Sequence, residues 1–200
     1  MTYFNQIQNI KGIIQVGANL GQEVALFKNF TSNIILIEPI PQLAQHLSQS
    51  YPDCIVMPFA LGSEDSDMKL YLASNNGESS SLLKPTNHKI YYPDITFTQS
   101  IRVPVRTFTS LVKDYKINID LFNILITDTQ GYDLEAIKGF GLHIQKFNLI
   151  IAEYINSSLY QNNASLKDLC EYLIPLGFEL IETFSENLGA GNVVFKKDLL

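Results

Sequence analysis

Charge is scarce in this 200-residue chain, and basic charge most of all. Charged residues make up 17%, with 14 Lys plus Arg against 20 Asp plus Glu and a net charge of −6. Only Arg102 and Arg106 are arginines. Neutralising a phosphate backbone needs a basic stripe, and the sequence has none, so no nucleic-acid partner is expected. Cysteine is nearly absent: Cys54 and Cys170 lie far apart and form no C-x-x-C, which excludes a disulfide framework and fits a reducing compartment. No apolar run approaches the ~20 residues of a membrane span. The start, MTYFNQIQNIKG, has neither the basic opening nor the apolar stretch of a secretory signal. What remains is 46% hydrophobic and 11% aromatic in 22.5 kDa, enough to fill one core. The expectation is one cytoplasmic globular domain over residues 1–200 with no membrane partner.

Familiar chemical signatures are missing too. No Gly-Lys dipeptide marks a Walker-type phosphate loop, and no Tyr-x-x-x-Lys pair marks a short-chain dehydrogenase. G-x-S-x-G, H-E-x-x-H and Cys/His zinc spacing are absent.

Residues 12–16, 34–38, 54–60, 121–127 and 147–153 are near-continuous apolar runs, as expected of parallel strands covered on both faces by helices. Between them, residues 21–30 place Val24, Phe27 and Phe30 at helical spacing, and Pro41 opens a second helical stretch. Residues 165–176 carry the clearest stripe (Leu166, Leu169, Cys170, Leu173, Ile174), with Ser165 as cap and Gly177 as stop. This order predicts a doubly wound α/β sheet. Runs 178–184 and 192–197, joined through Gly189, Ala190 and Gly191, predict an antiparallel hairpin that adds a reversed strand. The stretch 62–120 reads as an irregular insertion. Two alternating runs, 68–72 and 101–107, flank a polar loop, NNGESSSLLKPTNHK, of the kind that covers a binding site.

Candidate chemistry falls at strand ends. The first strand runs into Gly17-Ala18-Asn19-Leu20-Gly21, where glycine admits close approach of a ligand. The spacing is G-x-x-x-G, unlike the dinucleotide fingerprint, so an NAD enzyme is disfavoured. Glu38 ends the second strand, where an acid can accept both ribose hydroxyls of a nucleoside. Asp128, in D-T-Q-G-Y-D, and Glu153 end the fourth and fifth strands and should converge beside that nucleoside. Carboxylates there could orient a cofactor ammonium, hold a substrate hydroxyl or act as general base. Asp133 reads equally as a first-turn helix acid. His46 and His143 read as surface residues, whereas His88, in the long loop, could reach the cleft.

Together IIQVGANLGQE, ILIEPIPQLAQHL, PFALGSEDSDMKLYL, SSSLL, RVPVRTF and LITDTQGYDLEAIKGF resemble the FkbM-type methyltransferases, over roughly residues 12 to 155. The resemblance implies a class I Rossmann-like fold and S-adenosylmethionine as cofactor, with S-adenosylhomocysteine as product. It implies that Gly17, Asn19 and Gly21 wrap the methionine and ribose portions, that Glu38, beside Pro39, takes the ribose hydroxyls, and that Ala60 and Leu61 lie near the adenine. Asp128 and Gln130 would face the reacting end with Glu153 beside them, and the loop 79–81, with Ser80 and Ser81, would help cover the substrate together with Asp133. Two departures stand out. Gln15 occupies a position where many members carry an acid, so a hydrogen bond to the cofactor replaces a charged one. Gln130 and Asp133 stand where other members have glutamates, and Gln130 cannot act as a base. The chain begins almost at its first strand, which suits either a trimmed domain of a longer enzyme or a minimal member.

The expected reaction is O-methylation of a hydroxyl on a sugar, polyketide or other natural product. Asp128 or Glu153 is the expected base and His88 an outside candidate. The alternatives are methylation of a peptide carboxylate by a domain of a larger biosynthetic enzyme, and a non-catalytic cofactor-binding scaffold. Asp128 and Glu153 would suit a divalent metal such as magnesium, but nothing in the sequence requires one. Acceptor identity and oligomeric state are not encoded in any motif.

Overall fold

Residues whose side chains are apolar on both sides of a strand can be buried only between two helical layers, and the chain builds that arrangement. The computed structural model describes residues 9–185 and 189–197. In chain order, β1 (Ile13–Val16), α1 (Val24–Phe27), β2 (Ile34–Ile37), α2 (Pro41–Ser50) and β3 (Ile55–Met57) come first. There follow β4 (Ala60–Leu61), β5 (Ser66–Leu72), α3 (His88–Tyr91), β6 (Gln99–Arg106) and α4 (Phe108–Tyr115). The chain then forms β7 (Ile124–Thr127), α5 (Asp133–Lys138), β8 (Leu149–Ile155), α6 (Leu166–Leu173), β9 (Glu179–Ser185) and β10 (Ala190–Lys196).

Seven strands form one sheet in the order β3-β2-β1-β7-β8-β10-β9. Strands β1, β2, β3, β7 and β8 pair in parallel, and β10 runs against both β8 and β9. Alternate residues of each strand feed opposite cores. Ile14, Ile35 and Leu125 meet Phe108, Phe140 and Leu169 of α4, the end of α5 and α6 on one face. On the other face Ile13, Leu36 and Ile124 meet Val24, Phe27 and Leu47 of α1 and α2. Phe108 and Phe140 stack with ring centroids 4.3 Å apart. Cys54 and Cys170 are half-buried, each packed against one of these cores. Among the described residues no helix is long and apolar enough to cross a membrane.

Three sequence expectations change. The run 54–60 is not one strand: Pro58 cannot donate to a ladder, Phe59 N–H turns back onto the Met57 carbonyl (3.0 Å), and Ala60–Leu61 joins a different sheet. Residues 21–30 hold only one α-helical turn, because Gly21 takes φ +77 and mixed turns surround Val24–Phe27. The stretch 62–120 is ordered rather than irregular. Its alternating runs become β5 and β6, paired antiparallel, with β4 parallel to β6 in a second, three-stranded sheet. This sheet has its own small core of Leu70, Val103, Val105 and Leu82, joined by Ile40 and Ala60.

The C-terminal elements follow the local signals. Ser165 and Asp168 form a reciprocal capping box at α6. Pro175 then tightens the last turn into 3₁₀ form, and Gly177 stops it at φ +90. The predicted hairpin is present as β9 and β10. Connecting residues 186–188, and most of the N-terminal stretch read for a signal, lie outside the described residues. Replacing Ser165 with alanine removes the hydroxyl that accepts the Asp168 N–H. Urea denaturation should show a loss of about 1 kcal/mol with nucleoside binding unchanged.

Candidate functional site

Parallel pairing puts Ile37, Val16, Thr127 and Ala152 in one row across β2, β1, β7 and β8. The residues one step further on are Glu38, Gly17, Asp128 and Glu153, all at the carboxyl edge. β1 lies between β2 and β7, so the chain reverses its direction of travel across the sheet there, where α/β sheets bind ligands. Glu153 is not a strand terminus as expected, because β8 continues two residues further against β10, with Glu153 opposite Asn192. On the β7 side it is still the first residue past the ladder.

A cleft of about 530 Å³ opens over this row. Gly17, at φ +80, lies so close to the next strand that an added Cβ would sit 1.8 Å from the Asp128 carbonyl oxygen. Asn19 follows in the left-handed region (φ +45) and aims its N–H at Glu38 Oε2 (2.9 Å). The Ile40 N–H donates to Glu38 Oε1, also at 2.9 Å. Glu38 is only 4% exposed, and each of its oxygens keeps accepting capacity beyond that one backbone bond. Burial pushes its pKa up to about 7, against the opposing effect of the two N–H groups.

Beyond Gly17, Gln130 organises the other half of the cleft from a left-handed backbone position (φ +55). Its Nε2 donates to Asp128 Oδ1 (2.9 Å) and to Glu153 Oε1 (3.1 Å), so one amide bridges both acids. The Tyr160 hydroxyl donates to the Ser79 carbonyl (2.8 Å) and lies 3.3 Å from Gln130 Oε1. Ser81 Oγ donates to the Gln130 carbonyl (2.8 Å). The polar loop is thereby fastened over the cleft, and Gly77 within it packs on Ile40 and Leu43.

Of the residues singled out in the sequence, Gly17, Asn19, Glu38, Pro39, Ala60, Leu61, Ser80, Ser81, Asp128 and Gln130 line this cleft. Glu153 stands behind the lining, joined through Gln130. Four others lie elsewhere. Gln15 is buried in β1 and donates to Glu23 Oε2 (3.0 Å), because a mid-strand side chain points into a core face rather than past the strand end. Gly21 makes room for Tyr51, whose ring would lie 2.6 Å from an added Cβ. Asp133, expected beside the substrate, is fully buried and accepts the N–H groups of Thr129 and Gly131 at 3.3 Å, closing the turn that opens α5. His88 is 2% exposed and packs among the rings of Tyr92, Phe97 and Tyr160 at 4.9, 5.0 and 5.4 Å. Burial there lowers its pKa, so it is held neutral away from the cleft.

Sequence reading missed Phe59, Leu70, Leu82 and Tyr132 in the lining, and Tyr160 behind it. Leu70 and Leu82 were legible as apolar residues in the insertion, but nothing local marks Tyr160, which reaches the site across 30 residues of chain from Gln130. Among the described residues no group of three or more His, Cys, Asp or Glu is placed to hold a metal ion.

A seven-stranded sheet with its reversed strand inserted next to last, and a glycine-lined cleft over its switch point, defines the class I methyltransferase type of α/β fold. A family model described as the methyltransferase FkbM domain matches residues 15–180, and the chain belongs to that family. A curated relative, the 2-O-methyltransferase NoeI of Sinorhizobium fredii (strain NBRC 101917 / NGR234), is 23% identical over 199 residues, covering 94% of this chain and 80% of NoeI. Among solved structures, methyltransferase FkbM from Methylobacillus flagellatus KT superposes with a TM-score of 0.58 at 16% identity. That match takes in 94% of this chain but 43% of the other, so the chain spans less than half of that relative's length. Magnesium protoporphyrin IX methyltransferase (ChlM) from Synechocystis PCC 6803, solved with bound SAM, gives 0.52 at 8% identity, over 98% of this chain and 74% of that one. At these identities the structural likenesses speak for the fold.

Glu38 makes a signed prediction. Its folded pKa of about 7 lies above the unfolded value of 4.5, so folding favours the protonated carboxyl. Its stabilising contribution is complete below pH 4.5 and lost as pH rises through 7, by about 3 kcal/mol in all. Denaturation at pH 5 and pH 8 should show this loss in the wild type relative to Glu38→Gln.

Proposed function

We propose that the chain transfers the methyl group of S-adenosylmethionine to a hydroxyl of a small-molecule or glycan acceptor such as a sugar, polyketide or other natural product. The observation that carries this reading is the row Glu38–Gly17–Asp128–Glu153, which sets a nucleoside cradle one strand away from a bridged pair of acids. The cradle fits the cofactor. Gly17 leaves open the space a side chain would fill, and Glu38 offers remaining lone pairs to a vicinal diol. Ala60, Leu61 and Phe59 supply an apolar wall for a purine. Bound there, the cofactor supplies an electrophilic methyl group on a sulfonium sulfur.

The chain's own task is then alignment and proton removal. Charge is dispersed rather than created when an oxyanion meets a sulfonium, so positioning should contribute more than an oxyanion hole. An alcohol is a poor nucleophile near pH 7, and on this reading Asp128, on the cleft wall and bridged to Glu153 through Gln130, takes its proton. A carboxylate acceptor would need desolvation but no base, so the paired acids favour a hydroxyl. The 2-O-methyltransferase name of NoeI supports oxygen as the receiving atom.

Calorimetric titration with S-adenosylmethionine and S-adenosylhomocysteine, with NAD as control, tests the cradle: the sulfur nucleosides should bind in the micromolar range and NAD should not. Sugar, polyketide and peptide acceptors can then be screened for methyl transfer. Asp128→Asn or Glu153→Gln should lower kcat by ~10²–10⁴ with cofactor binding retained. Unchanged turnover in both would place the base elsewhere. Absence of sulfur-nucleoside binding would overturn the functional reading, and binding without transfer to any acceptor would leave a cofactor-binding scaffold.

A further inference from the structure

The loop that covers the cleft is closed on itself and fixed at its base. Tyr71 N–H donates to the Ser81 carbonyl (2.9 Å) and Ser81 N–H returns a bond to the Tyr71 carbonyl (3.2 Å). Ser81 Oγ pins this base to the Gln130 carbonyl, and Ser74 exchanges two bonds with Thr96, at 2.9 and 3.0 Å. Beyond the base, residues 75–80 bond to one another. Asn75 clasps Ser79, accepting its N–H (3.2 Å) and donating to its Oγ (3.0 Å), and Ser80 N–H donates to the Gly77 carbonyl (2.9 Å). Asn76 and Gly77 take φ +56 and +83 at the tip, spanned by a bond from the Glu78 N–H to the Asn75 carbonyl (3.2 Å), as in a tight Asn-Gly turn. Turning this unit about its base leaves all of these bonds among residues 75–80 intact.

The tip is held down by less. Among the described residues, two hydrogen bonds join residues 75–80 to the parts of the chain they cover. One, from Asn19 Nδ2 to the Asn76 carbonyl (3.3 Å), is exposed, and water can replace it at little cost. The other, from the Tyr160 hydroxyl to the Ser79 carbonyl (2.8 Å), is buried. Tyr160 cannot follow the tip. It is 1% exposed, its ring packs against His88 and Phe97 at 5.4 and 6.3 Å, and its neighbours Ser158 and Leu159 accept the N–H groups of Asn87 and Thr86. Gly77 rests on Ile40 and Leu43, next to the Ile40 N–H that serves the buried carboxyl of Glu38.

We propose that Tyr160 is the positioning residue that latches this flap, and that residues 75–80 lift from Ile40 each time a sulfur nucleoside enters or leaves the cleft. The ligand named here rests on the methyl-transfer reading. The latch acts on the flap alone, because Tyr160 is not among the residues that line the cleft. It therefore holds the closed flap equally before and after binding. Removing the hydroxyl leaves the Ser79 carbonyl buried and unpaired only while the flap is down, so the open position gains by the same factor in both states. Entry and exit quicken together, and affinity stays nearly the same.

The test is kinetic and uses the full chain with tritium-labelled S-adenosylhomocysteine, its dissociation followed by chase with unlabelled ligand. Tyr160→Phe should raise the association and dissociation rate constants together, each about tenfold, with Kd nearly unchanged. Glu38→Gln, which alters a group facing the ligand, should instead raise Kd through dissociation while association is kept. Gly77→Ala offers a second way to unseat the tip, since the added Cβ would sit 3.0 Å from Ile40 Cδ1, and it should also raise both rates. It decides the matter if Tyr160→Phe does not fold. Quickened dissociation without quickened association, or no change in either rate, overturns the latch. A wild-type chain that binds no sulfur nucleoside overturns the methyl-transfer reading and this proposal with it.

Discussion

The cleft depends on the approach of Gly17 to the carbonyl of Asp128. That contact is closer than any side chain permits, and it lets β1 and β7 keep their parallel register to the last residue before both chains turn away. Because the register holds, the two functional halves stand on adjacent strands. From Glu38 to Glu153 the row crosses three strand spacings, about 14 Å. The two halves therefore stand side by side along one cleft.

The chain as a whole is acidic, and its cleft gathers acids on a lining that includes no Lys or Arg. Each acid is handled by a different physical means. Glu38 is buried deeply enough to raise its pKa to about 7, although two backbone N–H groups soften the desolvation. Asp128 and Glu153 share the dipole of one neutral amide. Asp133 is turned inward as the internal brace of the D-T-Q-G turn. A site of this sign suits a cationic sulfonium, and the scarcity of lysine and arginine noted at the outset reappears there as a local property.

The fold was largely legible because burial on both faces leaves a mark on every residue of a strand. The five apolar runs gave the parallel ladders, and Ser165 with Gly177 bracketed α6 and its 3₁₀ extension. Failures came where tertiary contacts decide. Pro58 splits an apolar run between two sheets, and alternating runs in the insertion needed each other to be recognised as a hairpin-like pair. At the site, residues just past strand ends were readable from position alone. Gln15 and Asp133 were misplaced because nearness in sequence to a strand end does not fix the face a side chain takes. His88 was misplaced because a polar loop gives no sign that three rings will enclose one of its members. Tyr160 had no signal at all, being a single tyrosine whose significance is its distant partner.

The departure of the chain from the main sheet at Pro58 divides the protein into parts that can change separately. Between that proline and α4 the backbone builds a small sheet and hangs from it the loop that roofs the cleft, then returns without having contributed a rung to the seven-stranded sheet. The strand-end row of Glu38, Gly17, Asp128 and Glu153 belongs to strands laid down before and after this excursion, whereas Phe59, Ala60 and Leu61 of the apolar wall lie within it. Lengthening, shortening or exchanging the part beyond Leu61 alters the roof of the cleft while the strand-end row stays as it is. The part of the excursion beyond Leu61 is thus the natural unit to exchange when the roof of the cleft is to be altered.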